Sequence, residues 1–456
     1  MKQPVTRIAL TLHLALALSA CTVGPAYQRP PVAVPDDVYG AASPATAESL
    51  ADTQWFDLFQ DPQLRVLIEE ALRNGFDVRV AAARVEAARA RAGIANSARS
   101  PDVDGQVLAG VGREGGDTGG AVAANVAAGW ELDLWGRVRR LNEAARAQYL
   151  ASEEGQRAVR LALASEVAST YFELRELDEE LDIARRTTAA FQSTYDLFDR
   201  RLRGGTASGL ETARAEALLA NAAAQIPAIE RNILAAENQL NVLLGRMPGP
   251  IERGPSLAEQ ALPPSVPAGL PAALLLRRPD VRAAEQQLIA ANANVGVAEA
   301  AFYPAISLTG LLGVQSTDLS ELFGEGRVWR IQAGLLGPIF NAGRLRNQQR
   351  VAVAQFDEAR VDYERAVTEA LADVSTSLVT MEKLAATESA RARAVRANED
   401  AVRLATLRYD SGLSAYFEVL DAMSQLLTAE NALARTRRDR LVALVHLYRA
   451  LGGGWG

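Results

Sequence analysis

The chain has 456 residues, 49% of them hydrophobic, and its 48 basic and 55 acidic residues give a formal net charge of −7. That length exceeds one ordinary domain, and that balance supplies no basic surface for nucleic acid. A single cysteine and two histidines leave no intramolecular disulfide and almost no scope for a Cys/His metal site.

In chain order, Lys2 and Arg7 precede an apolar run from Ile8 to Leu18, and the small residues Ser19 and Ala20 stand directly before Cys21. That order predicts a secretory signal peptide over residues 1–20. The run is far short of the roughly 20 residues of a membrane-spanning helix, so cleavage is expected rather than anchoring. The mature chain from Cys21 keeps 46 basic and 55 acidic residues, a formal charge of about −9. The segment Leu18–Cys21, LSAC, resembles the bacterial lipobox. The resemblance implies that the thiol takes a diacylglycerol, that cleavage falls before the cysteine, and that the new amine is acylated. Several chains on one residue hold a membrane stably where one is marginal. Thr22 stands where this class of lipoproteins often carries an inner-membrane retention aspartate, which points to the outer membrane. Residues 21–53 are then a lipid-anchored extended segment; an ordinary signal with a buried cysteine is the alternative.

From residue 54 the chain is a duplicated unit. DVRVAAARVEAARARAGIANSARSPDV at 77–103 aligns without gaps on DVRAAEQQLIAANANVGVAEAAFYPAI at 280–306, with Asp77, Val78, Arg79, Gly93 and Pro101 meeting identical partners. After a four-residue slip the shift is 207: Gly136-Arg137 matches Gly343-Arg344, Gly205 matches Gly412 and Gly245 matches Gly452. The first repeat covers 54–245 and the second 272–452, with a C-terminal tail at 453–456. Between them seven prolines from Pro248 to Pro271 mark a linker over 246–271 that no helix would tolerate.

Each repeat predicts a helix, a pair of short strands and two further helices. The shorter helices fall at about 54–98, 208–245, 272–300 and 415–451, the long ones at 137–203 and 344–410. Val167, Tyr171, Leu174 and Leu177 in the first long helix recur at steps of four and three. Val367, Leu371, Val374, Leu378 and Met381 in the second do the same, a coiled-coil-like seam. At 1.5 Å per residue each long helix spans roughly 100 Å, too long for a globular domain. Its apolar stripe must be covered by the shorter helices.

The segments 101–135 and 304–340 are rich in glycine and small apolar residues, and each is split by a turn-like insert, REGGDTGG in one and STDLSELFGEGR in the other. Both predict hairpins with strands near the 9 to 11 residues of a tilted transmembrane strand. A hairpin on a soluble sheet has the same local texture. Trp130, Trp135 and Trp329 near the strand ends are candidate interfacial anchors. No mature segment holds 18 consecutive apolar residues, so a bilayer crossing requires a barrel, and four strands cannot close one. Sharing strands with copies of the chain would close it, and three chains with twelve strands is the simplest wide pore.

The lipobox, the duplicated helix–hairpin–helix plan, WELDLWGRVRR at Trp130, GPIFNAGRLR at Gly337 and RYDSGLSAYFEVLDA at Arg408 together resemble the TolC superfamily. Within it the chain is similar to the lipid-anchored outer-membrane factors of the NodT or OprM-like group. The resemblance covers nearly the whole mature chain. It implies a mostly α fold with a transmembrane β part: a homotrimer whose twelve-stranded barrel continues into a twelve-helix periplasmic tunnel. It also implies a periplasmic adaptor protein and an inner-membrane transporter of the proton-driven RND type, with small molecules as the efflux substrates. No cofactor or metal is implied beyond the covalent lipid on Cys21.

Members of this family taper at the periplasmic tip, beside the turn after each long helix. Here those turns contain Gly205 and Gly412, read as positive-φ residues. By resemblance Phe417 takes the apolar-gate position and Asp421 the gate aspartate, with Glu418 where relatives are not always acidic. Threefold repetition would make an apolar ring beside a cation-favouring one. Arg408 and Tyr409 match an RY pair that in relatives seals the tip: the arginine is expected to meet a carboxylate on a neighbouring helix and the tyrosine to hydrogen-bond across the same seam. The first repeat has Arg201-Leu202 there, so the repeats are expected to seal unequally.

Three other readings stand beside this one. An enzyme is disfavoured, because His446 lies in the apolar run LVALVHLYRA and no Ser/His/Asp, P-loop or metal-ligand spacing occurs. A structural periplasmic lipoprotein would have no need of paired strands. A protein-secretion conduit driven by an ABC transporter shares the family's architecture.

Overall fold

The computed structural model describes residues 22–33, 59–114, 117–260, 277–317 and 326–453, together with 35, 39 and 324. The signal peptide, Cys21 and the second half of the proline-rich linker lie outside these residues. The described elements are α1 (Pro62–Asn74), α2 (Phe76–Ser97), β1 (Asp102–Glu114), β2 (Asp117–Leu132), α3 (Arg137–Arg203) and α4 (Gly209–Leu244). The second series is α5 (Pro279–Ala300), β3 (Ala305–Ser316), β4 (Arg327–Leu336), α6 (Arg344–Asp410) and α7 (Phe417–Ala450). α3 and α6 are unbroken helices of 67 residues each. No described helix is long and apolar enough to cross a membrane.

Two differences from the sequence reading have clear causes. The helix expected over 54–98 is two helices broken at Gly75. There the backbone turns extended (ψ 139°), and a Cβ would stand 2.6 Å from the Ala71 carbonyl oxygen and 2.9 Å from Leu163. The insert REGGDTGG is mostly strand: pairing of β1 with β2 continues to Glu114 opposite Asp117, because threonine favours extended backbone and glycine, though it weakens a strand, tolerates it inside a ladder already formed.

The chain divides into two compact units. The first, comprising Met1–Val32, Ala83–Gly155 and Arg282–Ala366, holds all four described strands. They form one antiparallel sheet in the order β1-β2-β3-β4, so the two hairpins are joined by β2 pairing with β3. Because side chains alternate along a strand, the register sorts them by face. One face carries Val103, Val107 and Val111 of β1, Val122, Val126 and Trp130 of β2, Leu308, Leu312 and Val314 of β3, and Trp329, Ile331 and Leu335 of β4. Ser316 and Arg327, polar residues in the same register, stand at one end of their strands. The other face carries Asp102, Asp104, Gln106, Asn125, Glu131, Ser307, Thr309, Arg330 and Gln332 among small residues and a few leucines. Trp130 and Trp329 lie on the apolar face. Trp135 does not serve as an anchor there: it stacks on Tyr303 at 4.8 Å and donates its indole N–H to the Pro304 carbonyl at 2.8 Å.

Also in this unit, the buried contact between α3 and α5 is made by small side chains, Ala144 and Ala147 against Ala290 and Ala293 with Ile289 beside them, which lets the helices approach closely. Residues 22–29 form a strap. Val23 N–H donates to the Trp135 carbonyl, Arg140 reaches the Val23 and Gly24 carbonyls, and Arg29 forks onto Glu285 at 2.6 and 2.7 Å.

The second unit, Ala33–Ala82, Gln156–Val281 and Val367–Gly456, holds the larger core. The seam of α3 is buried as its periodicity requires, with Val167, Tyr171 and Leu174 fully covered, against Leu64, Leu67 and Ile68 of α1, Leu240 and Leu244 of α4, and Leu441 and Leu444 of α7. Along α6 Val367 and Val374 are buried, while Leu371, Leu378 and Met381 are partly covered. The Asp61 carboxylate caps α1 through the Gln63 and Leu64 N–H groups and accepts from the Tyr171 hydroxyl at 3.1 Å. The described part of the linker is packed rather than loose: Ile251 and Leu257 are buried, and Arg253 bridges Asp178 and Glu237.

Candidate functional site

Both long helices end in the same way. Gly205 has φ +74° and Gly412 φ +73°. Gly205 N–H bonds the Leu202 carbonyl and Thr206 N–H the Arg201 carbonyl; Gly412 and Leu413 repeat the pattern onto Tyr409 and Arg408. These paired bonds satisfy the last carbonyls of a helix. Nothing lies within 4 Å of where a Cβ would stand at either glycine, so the left-handed backbone selects glycine here, not lack of space.

The helices that follow begin differently. α4 starts with a capping box: Ser208 Oγ accepts from Glu211 N–H, and the Glu211 carboxylate accepts from Ser208 N–H at 2.8 Å. α7 has Tyr416 at its N-cap with no side-chain cap bond. Its phenol is instead packed edge-on against Tyr409 at 4.7 Å and Phe198 at 4.9 Å, with its hydroxyl 2.9 Å from Thr194 Oγ1. Aromatic packing and one hydroxyl pair therefore seat the start of α7.

The residues singled out from the sequence gather around this seat. Arg408 Nε lies 3.4 Å from a Glu418 carboxylate oxygen, both side chains about half exposed. The Tyr409 hydroxyl accepts a hydrogen bond from Arg201, whose guanidinium also lies over the Tyr409 ring. Arg201 is the first-repeat counterpart of Arg408, so the two repeats contribute different halves of the cluster. Phe417 is exposed, with the Arg214 guanidinium carbon 5.2 Å from its ring centroid, and Asp421 is exposed one turn further along α7. Cys21 lies outside the described residues. Among the described residues no group of three or more His, Cys, Asp and Glu is placed to hold a metal ion.

A sequence profile of outer membrane efflux proteins matches residues 67–246 and again 270–453. The chain belongs to that family. Among its relatives, the solvent efflux pump outer membrane protein SrpC of Pseudomonas putida is 36% identical over 462 residues, covering 98% of both chains. The cation efflux system protein CusC of Escherichia coli is 34% identical over 456 residues, again covering 98% of both. The open state of the Neisseria gonorrhoeae MtrE outer membrane channel matches with a TM-score of 0.88 at 34% identity, over 95% of this chain and 98% of that one. The outer-membrane channel OprN matches with a TM-score of 0.89 at 31% identity, over 95% of this chain and 100% of that one. This member of the efflux family is thus an outer-membrane component of an efflux system.

Within this efflux protein, four residues of the cluster escaped the sequence reading. Thr194, Phe198 and Tyr416 carry no signal in spacing, since their meeting depends on how α3 and α7 pack. Arg214 did carry one: it stands 207 residues before Asp421, in the register that pairs Gly205 with Gly412.

Proposed function

We propose that three copies of this chain close a common barrel of twelve strands in the outer membrane and a tunnel of twelve helices below it. In this reading the channel receives small molecules from a periplasmic adaptor and an inner-membrane RND pump. The observation that carries this reading is the one-sided sheet with two open edges. An apolar outer face fits lipid, while β1 and β4 each leave a row of backbone groups without partners among the described residues, which in a bilayer costs several kcal/mol per group. Pairing β4 of one chain with β1 of the next removes both edges and leaves the polar face inward. Light scattering of the detergent-solubilised protein should give a mass of three chains. A monomer that inserts and conducts would overturn the scheme.

The lipobox resemblance places covalent lipid on Cys21 as a second attachment. Replacing Cys21 with Ser should abolish incorporation of labelled palmitate. The cluster around Gly412 is then the periplasmic gate, with Arg408 and Tyr409 holding it and Phe417 and Asp421 at its constriction. Ser208 caps α4 and the Ser414 hydroxyl is buried, so crosslinking probes belong at the exposed Leu413 and Ala415. Capture of an adaptor with an RND pump supports small-molecule efflux; capture of an ABC exporter would move the reading to protein secretion. No reaction chemistry is part of this function, and the polar side chains of the site act through charge, hydrogen bonding and shape.

A further inference from the structure

Phe417 has a cation against its ring and an acid one helical turn further along α7. The guanidinium carbon of Arg214, on α4, lies 5.2 Å from the ring centroid, and Asp421 follows Phe417 by one helical turn on α7. Both side chains are exposed, and neither has an ion-pair partner among the described residues. The neighbouring acids are occupied: Glu418 faces Arg408, and Glu211 is held in the Ser208 capping box. The 207-residue register that carries Gly205 onto Gly412 also carries Leu210 onto Phe417 and Arg214 onto Asp421. One duplicated position therefore bears a cation in the first repeat and an anion in the second.

We infer that Arg214 is a selectivity-determining residue of the channel, and that it cancels the cation preference that Asp421 alone would impose. The inference rests on the trimeric pore proposed above. In such a trimer the two repeats of each chain would alternate around the axis. Three arginines and three aspartates would then occupy one level in place of a ring of uncompensated carboxylates. Charges of alternating sign a few ångströms apart cancel within a Debye length, so little net field remains to enrich either ion. The contact with the Phe417 face keeps the guanidinium at the level of the apolar constriction. A conduit with no charge preference at its narrowest level passes cationic, anionic and neutral solutes alike.

Reversal potentials of the trimer in planar bilayers, under a KCl gradient at low ionic strength, test this. The unaltered channel should show a potassium-to-chloride permeability ratio within about twofold of one. Arg214→Gln should raise that ratio several-fold, Asp421→Asn should lower it several-fold, and the double substitution should return it to the starting value. Arg214→Lys, which keeps the charge, should leave the ratio unchanged and controls for loss of packing at Phe417. A ratio unmoved by Arg214→Gln overturns the inference whatever Asp421→Asn does. A reconstituted trimer with no conductance would overturn the pore itself, and the inference with it.

Discussion

Arg408 and Glu418 face each other across the turn at Gly412, with a guanidinium nitrogen 3.4 Å from a carboxylate oxygen. The last turn of α6 is thereby tied to the first turn of α7, and Arg201 adds a bond from α3 to the neighbouring Tyr409. A half-exposed ion pair contributes at most about 1 kcal/mol, and a hydrogen bond to a phenol about as much. In the gate proposed above, losing both would shift the closed-to-open balance by up to about thirtyfold. Arg408→Ala with Tyr409→Phe should therefore raise single-channel conductance in bilayers and admit a bulky antibiotic to cells, with Glu418→Gln changing it in the same direction by less. Unchanged conductance and antibiotic exclusion in the double variant would remove these residues from the gate.

The Gly412 backbone sets a separate expectation. At φ +73° with open space around it, alanine would meet strain and no clash, so Gly412→Ala should cost about 1 kcal/mol and Gly412→Asn less. Thermal unfolding followed by circular dichroism resolves the order of the two variants; equal melting temperatures for both and for the unaltered chain would contradict it.

The strap offers a test by protease. A Cβ on Gly24 would stand 2.4 Å from the Gly296 Cα at a backbone φ of +97°, whereas the nearest atoms to a Cβ on Gly296 belong to the Arg140 side chain, at 3.0 Å or more. Gly24→Ala should release residues 22–29 to limited proteolysis, Glu285→Gln should do so partly by losing the Arg29 fork, and Gly296→Ala should do so least. N-terminal sequencing of the fragments ranks the three. Gly296→Ala cleaving faster than Gly24→Ala would contradict the geometry.

The charged network between α3 and α7 predicts a pH response. Burial pushes Glu176 up to about 7, opposed by Arg438 and assisted by Glu180, with Arg435 opposing more weakly. A carboxyl raised above its unfolded value binds its proton more tightly in the folded state, so its share of stability is fully present below the unfolded pKa. That share is lost as pH rises from about 4.5 through about 7. Glu176→Gln should flatten the denaturation midpoint over that window. A slope unchanged by the substitution would assign the response to other groups.

Val167, Tyr171 and Leu174 recur at helical spacing, and the long helices could be bounded from that pattern and from glycines 205 and 412 alone. The periods are local: a stripe repeating every three to four residues has to be buried, and a left-handed helix stop favours glycine whatever surrounds it. The duplication was legible for the same reason, since a shift of 203 or 207 compares the chain only with itself. The break at Gly75 was not, because the space at that glycine is closed by Leu163 and the Leu243 carbonyl, which come from separate segments.

The candidate site divides the same way. Arg408, Tyr409, Phe417 and Asp421 could be named from one contiguous motif, but the partners of the first three lie about 200 residues away or across a turn, and only packing chose them. Glu418 reads in sequence as one more gate acid, yet in the folded chain it answers Arg408. Arg201 and Tyr409 come from different repeats, and no local spacing joins them. The strand segments were visible as apolar, glycine-rich runs, while their division into one face for lipid and one for water followed only from the register that pairs β2 with β3. Local sequence determined the elements, because each element's backbone answers to its own residues. Tertiary structure decided the faces and the contacts, because a side chain's neighbours depend on which distant segment is packed against it.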